Sequence, residues 1–336
     1  MVVGETGLGK STLVNCLFNT KIQFRPEDKV DRKRVQLEDN VVIKPHVVDI
    51  EEKGVRLKLT VVSTDGFGDG LDSSKSPQPI SDYIDHQFEK YFDFENGINR
   101  RTMVDSRVHC CFYFISPHSL SVTALDISLM QEIHHKVNII PLIAKADHLT
   151  ISELRAKKAR VLHDLLANGI SIYTIPEDTD EDPDYKSSME ALKSAMPFGV
   201  SASLETHDVR GRQVLGRKYG CGVLEVENPD HSDFSRLKTL VITHMQDMRE
   251  VTHELHYENY RALRLSGAKG RLNYPILETS IDDDMYDSVS TCASQFSIEK
   301  ERLLREKELE IKLMQEKMRE YEKQLREQGI YQNFDD

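Results

Sequence analysis

Nine residues near the start of the chain constrain its fold more than any other stretch. Gly4-Glu5-Thr6-Gly7-Leu8-Gly9-Lys10-Ser11-Thr12 fits the pattern G-x-x-x-x-G-K-[ST] without a mismatch. The apolar run Met1-Val2-Val3 precedes it, and the helix-like run Leu13-Val14-Asn15-Cys16-Leu17-Phe18 follows. Strand, glycine loop, helix is the context in which this pattern has a mechanism. The glycines let successive backbone N–H groups turn inward around phosphate oxygens, and the helix N-terminus adds partial positive charge. Lys10 is expected to reach the β and γ phosphates, and the Ser11 hydroxyl to ligate Mg²⁺.

The texture beyond this loop supports an α/β fold. Short β-rich runs occur at residues 61–62, 110–115 (CCFYFI), 138–144 (NIIPLIA) and 171–175 (SIYTI). Helical patterns separate them at 125–136, 152–168 and 186–196, and Asn168-Gly169 reads as a C-cap. Such alternation predicts a mostly parallel sheet with helices on both faces. A long helical pattern follows over 234–265, with Asp233 as its expected N-cap. Residues 266–293 read as a linker with an acidic turn at Asp282-Asp283-Asp284. Residues 294–328 turn to Glu, Lys, Arg, Leu and Met, and Leu304, Ile311, Met318 and Leu325 recur every seven residues. That seam predicts a short left-handed coiled coil, weakened by Lys307 at a d position. Residues 329–336 are left as a flexible tail.

Composition narrows the function classes. The chain has 336 residues, a 39% hydrophobic and a 30% charged fraction, and a net charge of −12. The acidic balance argues against nucleic acid as a partner. No apolar run approaches the ~18 residues of a membrane span. The five cysteines have no metal-ligand spacing and read as reduced thiols. Acidic residues crowd the stretch from Glu177 to Asp184, which reads as a solvated loop or an interface-tuning one.

A second motif selects the base. Ala144-Lys145-Ala146-Asp147 directly follows the 138–143 run. A carboxylate there can accept from both N1–H and the exocyclic amine of guanine, whereas adenine presents an acceptor at N1. Downstream of a phosphate loop this predicts a guanine nucleotide, GTP or GDP. The metal-binding frame D-x-x-G departs from pattern: it reads Ser63-Thr64-Asp65-Gly66, so a hydroxyl replaces the carboxylate. Gly66 is expected at the γ-phosphate, whose sensing this change should weaken, and Mg²⁺ is expected to be weakly held.

Together these residues resemble a septin, a family of GTP-binding cytoskeletal proteins. The resemblance rests on residues 4–12, 63–69, 137–147 (VNIIPLIAKAD), 224–234 (LEVENPDHSDF) and 249–260 (REVTHELHYENY). It covers residues 1–265 and implies a P-loop GTPase-like three-layer sandwich, followed by the C-terminal helical coiled coil. The form Ser-Thr-x-Gly-Phe-Gly-Asp is similar to the septin-six subgroup, whose members hold GTP without hydrolysing it. Switch I agrees: Arg34, not threonine, precedes Val35-Gln36-Leu37. The resemblance further implies that Arg217 contacts the nucleotide, with Tyr219 in the same motif. The backbone at Ala202 would meet guanine, where septins carry glycine. His118 corresponds, across a gapped stretch, to a histidine that reaches a neighbour's nucleotide; on its own it reads as a solvated loop residue. The Pro-Trp-Gly of septins is Gly220-Cys221-Gly222 here.

The expectation is a septin subunit with GTP as a structural ligand, joining other septins through nucleotide-face and terminal-face interfaces. The coiled coil would pair with a partner septin. The chain would lie in the cytoplasm and cytoskeleton, at a septin ring or cleavage furrow. A GTP-hydrolysing switch is the rival. The start at Met1 leaves out the basic lipid-facing helix of septins and shortens a central strand, so membrane association is expected only through the complex.

Overall fold

The computed structural model describes residues 1–20, 22, 41–52, 55–70, 73, 75–97, 104–176, 183–209, 211–220 and 222–266. Two compact units divide the chain, Met1–Glu278 and Thr279–Asp336. Every described residue belongs to the first. The predicted linker from 267 on, the coiled coil at 294–328, the tail at 329–336, acidic residues 177–182, Cys221 and Arg34 all lie outside the described residues.

Six strands form the main sheet: β1 (Val2–Gly4), β2 (Val42–Glu52), β3 (Val55–Asp65), β4 (Cys110–Ile115), β5 (Asn138–Ala144) and β6 (Phe198–Val200). Their order is β2-β3-β1-β4-β5-β6. Only the β2–β3 pair is antiparallel; β1 lies between β3 and β4, with Val2 opposite Ser63 and Phe112. A separate antiparallel sheet contains β7 (Thr206–Val209), β8 (Arg212–Tyr219) and β9 (Gly222–Glu225).

Alternation along the central strands builds two cores. Phe112 and Phe114 of β4 join Ile140 and Leu142 of β5 on one face. There they meet α1 (Lys10–Leu17), α5 (Pro183–Ala195) and α6 (Phe234–Thr243) through Leu13, Leu192 and Leu237. Cys111, Tyr113 and Ile115 point the other way. They pack with Ile84, Leu129 and Val161 of α2 (Pro77–Asn96), α3 (Ala124–Ile133) and α4 (Ile151–Ala167). The expected three-layer arrangement with a mostly parallel sheet is therefore present. Among the described residues Cys16, Cys110 and Cys111 are free thiols, and burial pushes the Cys111 thiol up to about 11.

The helix starts follow local chemistry. Thr123 with Asp126, and Thr150 with Glu153, form reciprocal capping boxes on α3 and α4. At the other end of α4, Gly169 takes φ 65, as its position after Asn168 predicted.

Three expectations need correction. The 171–175 run is not a strand: Tyr173 N donates to Ile139 O (2.9 Å), but no ladder follows. The sixth strand is instead Phe198–Val200, not among the runs expected to be strands, which pairs with Leu142–Ala144. Asp233 is the N-cap residue of α6 as expected, accepting from Leu237 N on its carbonyl (2.9 Å), but its side chain makes no cap bond. Its carboxylate accepts from Lys158 Nζ (2.6 Å), Gly199 N (2.9 Å) and Arg236 (2.6 Å), fastening α6 to α4 and β6.

The single long helix over 234–265 is also broken. α6 ends at Thr243, α7 (Met245–Val251) follows His244, a π-helical turn covers Thr252–Tyr257, and α8 runs over Glu258–Ser266. At the π-helical turn the helix meets a buried amide on β5. Asn138 Nδ2 donates to Met248 O (2.9 Å), and the Thr252 hydroxyl donates to the same carbonyl (2.7 Å). A donor from outside the helix and the Thr252 hydroxyl four residues on compete for this carbonyl, which favours local widening of the helix.

Candidate functional site

The phosphate loop leaves β1 at Gly4 and enters α1 at Lys10. A Cβ at Gly4, whose φ is 143, would lie 2.7 Å from Phe114 O, so only glycine lets β1 run this close to β4. Gly7 and Gly9 take φ 88 and 91, with nothing within 4 Å of a built Cβ. Their left-handed conformation shapes the loop without crowding its concave side, which fits a group that occupies that side. Lys10 Nζ donates back to Gly4 O and to Glu5 O (3.0 Å), so the cation sits over the loop's mouth. Thr6 Oγ1 donates to Asp69 Oδ2 (2.5 Å) and ties the loop to the Gly66–Asp69 turn, where Asp69 N reaches Gly66 O (3.4 Å). Burial, then the neighbouring Asp126 and Asp69, push the Glu5 carboxyl up. Ser11 and Thr12 open the first turn of α1 and are partly exposed.

A pocket with about 330 Å³ of open space begins where this loop meets the C-terminal ends of β4, β5 and β6. Of the sequence candidates it gathers Leu8, Gly9, Thr12, Lys145, Asp147, Ala202 and Arg217. Gly4, Glu5, Thr6, Gly7, Lys10, Ser11 and Gly66 do not line it; the first six belong to the adjoining loop and helix start, and Gly66 follows β3. Convergence at the carboxyl ends of parallel strands is where open α/β sheets bind ligands.

Asp147 is the chemical centre of the pocket. Its side chain is 1% exposed. Ser201 Oγ donates to Oδ1 (2.8 Å), while Tyr219 OH and Arg217 (3.4 Å) address Oδ2. Burial pushes this carboxyl up. The hydrogen bonds from Tyr219, Ser201 and the backbone, with the Arg217 charge, outweigh it and hold the group below the usual carboxylate range. The Asp147–Tyr219 bond in turn raises the phenol. A fixed, ionised acceptor results, as recognition of two guanine N–H groups requires. Lys145 takes the left-handed φ 49, ψ 51, which turns the chain sharply between β5 and Asp147.

Ser201 was absent from the sequence candidates, although it holds Asp147 twice: its hydroxyl also accepts from Asp147 N (3.1 Å). The only signal was its place in the Val200-Ser201-Ala202-Ser203 stretch, read there for Ala202 alone. Tyr219, matched as a motif residue, proves to be a partner of the same carboxylate.

The metal-binding frame is different. Ser63 is buried near the end of β3, and its hydroxyl faces β2, 3.4 Å from Lys44 O and 3.4 Å from His46 Nε2. Thr64 Oγ1 donates to Val2 O (3.0 Å) and braces β3 against β1. β3 continues through Asp65, which shares Ser63's face of the strand.

The septin family model matches residues 1–273. Septin-1 of Drosophila melanogaster is 46% identical over 330 residues, 98% of this chain and 89% of the relative. Septin-2B of Xenopus tropicalis is 45% identical over 98% of this chain and 87% of its own length. Septin-4 of Homo sapiens is 45% identical over 97% of this chain and 69% of its own length. With the family model matching residues 1–273 and about 45% identity to septins across nearly its whole length, the chain belongs to the septin family of guanine-nucleotide-binding proteins.

Proposed function

We propose that this chain is a septin subunit that holds GTP as a structural ligand and assembles with other septins into hetero-oligomeric filaments. The observation that carries the non-hydrolysing half is Ser63. Where catalysis wants a carboxylate near Mg²⁺, the chain has a buried hydroxyl facing β2. Arg34 in place of the switch threonine points the same way. These two residues support membership of the septin-six subgroup. In this reading the backbone of Gly4 to Gly9 and the Lys10 ammonium hold the phosphates. Ser11 ligates a weakly held Mg²⁺, and Gly66 faces the γ-phosphate. Asp147, Lys145, Ala202 and Arg217 fix the base. Bound only by the folded state, the nucleotide stabilises the fold and the face it lines.

Neighbours meet across the nucleotide face and the face of terminal elements. Two heterologous contacts generate open polymers. The 294–328 segment pairs with a partner septin's helix, beyond a 266–293 linker and a domain ending near residue 265. Filaments of this kind serve as scaffolds in cytokinesis and cortical organisation, at a septin ring or cleavage furrow.

The rival, a GTP-hydrolysing switch, is favoured by one observation: Asp65 supplies a carboxylate two residues from Ser63 on the same strand face. One measurement decides. Purified protein is denatured and its nucleotide identified by ion-exchange chromatography. GTP is expected; mostly GDP would overturn the structural-ligand reading.

A further inference from the structure

The pairing of β2 with β3 sets two basic side chains beside the position where a metal-anchoring carboxylate would stand. Lys44 is directly opposite Ser63, His46 opposite Val61, and Val42 opposite Asp65. Directly opposed residues share a face of the sheet, and every second residue along a strand returns to it. Val61 packs with Leu13, Val14 and Leu17 of α1, so Lys44, His46, Ser63 and Asp65 belong to the α1 side. The 3.4 Å approach of the Ser63 hydroxyl to His46 Nε2 agrees. Ser63 is also opposite Val2, two residues before β1 opens into the phosphate loop at Gly4. Lys44 and His46 are partly buried. Burial, then the Lys44 charge, lower His46 from 6.5, with Asp65 opposing. The imidazole is therefore neutral at pH 7, which leaves Lys44 as the cation of the group.

We propose that the Lys44 ammonium takes over from a divalent ion in neutralising the phosphates, so that this chain retains guanine nucleotide without metal. This rests on the structural-ligand reading and extends it to what balances the phosphate charge. A carboxylate with a divalent ion sums to one positive charge, and a hydroxyl with an ammonium sums to the same. The residues present fit a metal poorly. The neutral Ser63 hydroxyl is already engaged with Lys44 O and His46, and a cation on the facing strand repels Mg²⁺. A lysine needs no coordination shell. Its charge is a point on a flexible four-carbon stem, long enough to cross one strand spacing of about 4.8 Å.

The test is nucleotide retention by the full-length protein after desalting in EDTA or in excess Mg²⁺. Wild type should keep the same nucleotide content in both. Lys44→Ala should release nucleotide at least about tenfold faster in EDTA, the scale of one charge-assisted contact, and recover in Mg²⁺. Lys44→Arg should behave as wild type. So should Lys58→Ala, which removes a lysine from the other face of the same hairpin. A wild type that empties in EDTA would overturn the inference. So would a Lys44→Ala protein that retains nucleotide in EDTA, or one whose loss Mg²⁺ cannot rescue, since the residue would then serve the fold. The identity of the retained nucleotide is read separately. GDP kept without metal by the wild type and lost from Lys44→Ala would uphold the role of Lys44 while overturning the structural-ligand reading.

Discussion

The two ends of strands β4 and β5 carry polar clusters of similar size and opposite character. At the C-terminal ends, Asp147 is held by Ser201, Tyr219 and Arg217 at the wall of an open pocket. At the N-terminal ends, Asn138 is sealed. Its amide donates to His109 O (2.8 Å), Met248 O (2.9 Å) and Thr252 Oγ1 (3.1 Å), and its Oδ1 meets His256 Nε2 (3.2 Å). His256 Nδ1 reaches His135 O (2.9 Å). Beside it Arg107 is clamped by Asp105 (2.8 Å) and lies 3.8 Å over the Tyr91 ring. A polar cluster therefore does not announce a binding site by itself. The closed cluster fastens the chain's late signature, 249–260, to the sheet. The open one presents a fixed charge to the pocket.

Breaking the closed end should cost the most stability. Asn138→Ala removes one donor each from Met248 O and His109 O, which share the Thr252 hydroxyl, and leaves His256 Nε2 without its partner. It should destabilise the domain by about 3 kcal/mol, because buried groups lose bonds they cannot exchange for water. Urea denaturation of the nucleotide-free and nucleotide-bound forms checks this. The guanine-nucleotide affinity of the folded fraction should be unchanged. Weakened binding in that fraction would show that the two ends are coupled.

The closed end also predicts an acid response. Burial lowers His256 from 6.5 to about 4, so the folded state resists its protonation. Between those values the unfolded chain binds more protons, and stability falls as pH drops from about 6.5 towards 4. The loss is at most about 3 kcal/mol. His256→Gln should remove that slope. Asp105 acts in a separate window. Burial raises it, but the Arg107 and His109 bonds dominate and hold it well below the usual range. Its contribution is present above the ordinary Asp value near 3.8 and is lost only as pH falls below it. A stability profile flat from pH 7 to 4 would contradict the His256 assignment.

The open end was more legible in sequence than the closed one, for physical reasons. Phosphate loops and Asp147 follow local spacing rules, because backbone amides and one strand end do the binding. β4 and β5 announced themselves as apolar runs buried on both faces. β6 did not: three residues carry too little pattern, and the more strand-like 171–175 makes a single backbone bond to β5 and no ladder. The break after Thr243 and the π-helical turn were invisible. Asn138, which engages the helix at the π-helical turn, lies 110 residues from Met248, whose carbonyl it meets. Ser201 was hidden likewise, since its importance comes from Asp147, 54 positions away.

At the open end the expected changes are in affinity. Asp147→Asn replaces an acceptor-only group by an amide, which can accept from one guanine N–H and sets a donor against the other. Loss of a charge-assisted pair is worth roughly 2 kcal/mol, about 30-fold in GTP or GDP affinity, read by a fluorescent-nucleotide titration. Xanthine nucleotides, with a carbonyl where guanine has its amine, should lose less or gain. Equal losses for both bases would place the effect in folding rather than in base recognition.

Tyr219→Phe is the finest probe, because it removes one hydroxyl and leaves the carboxylate in place. Ser201 and Arg217 still address Asp147, so the charge stays fixed. One neutral donor to a carboxylate contributes about 1 kcal/mol, which predicts roughly a fivefold loss of guanine-nucleotide affinity. The variant should also let the carboxyl rise towards its ordinary value, since the Tyr219 bond is the largest influence opposing burial. Affinity should then weaken further as pH falls through the acid range, more steeply than in the wild type. A Tyr219→Phe protein with unchanged affinity and pH profile would show that Ser201 and Arg217 suffice, and that Tyr219 serves the β8 surface rather than the base.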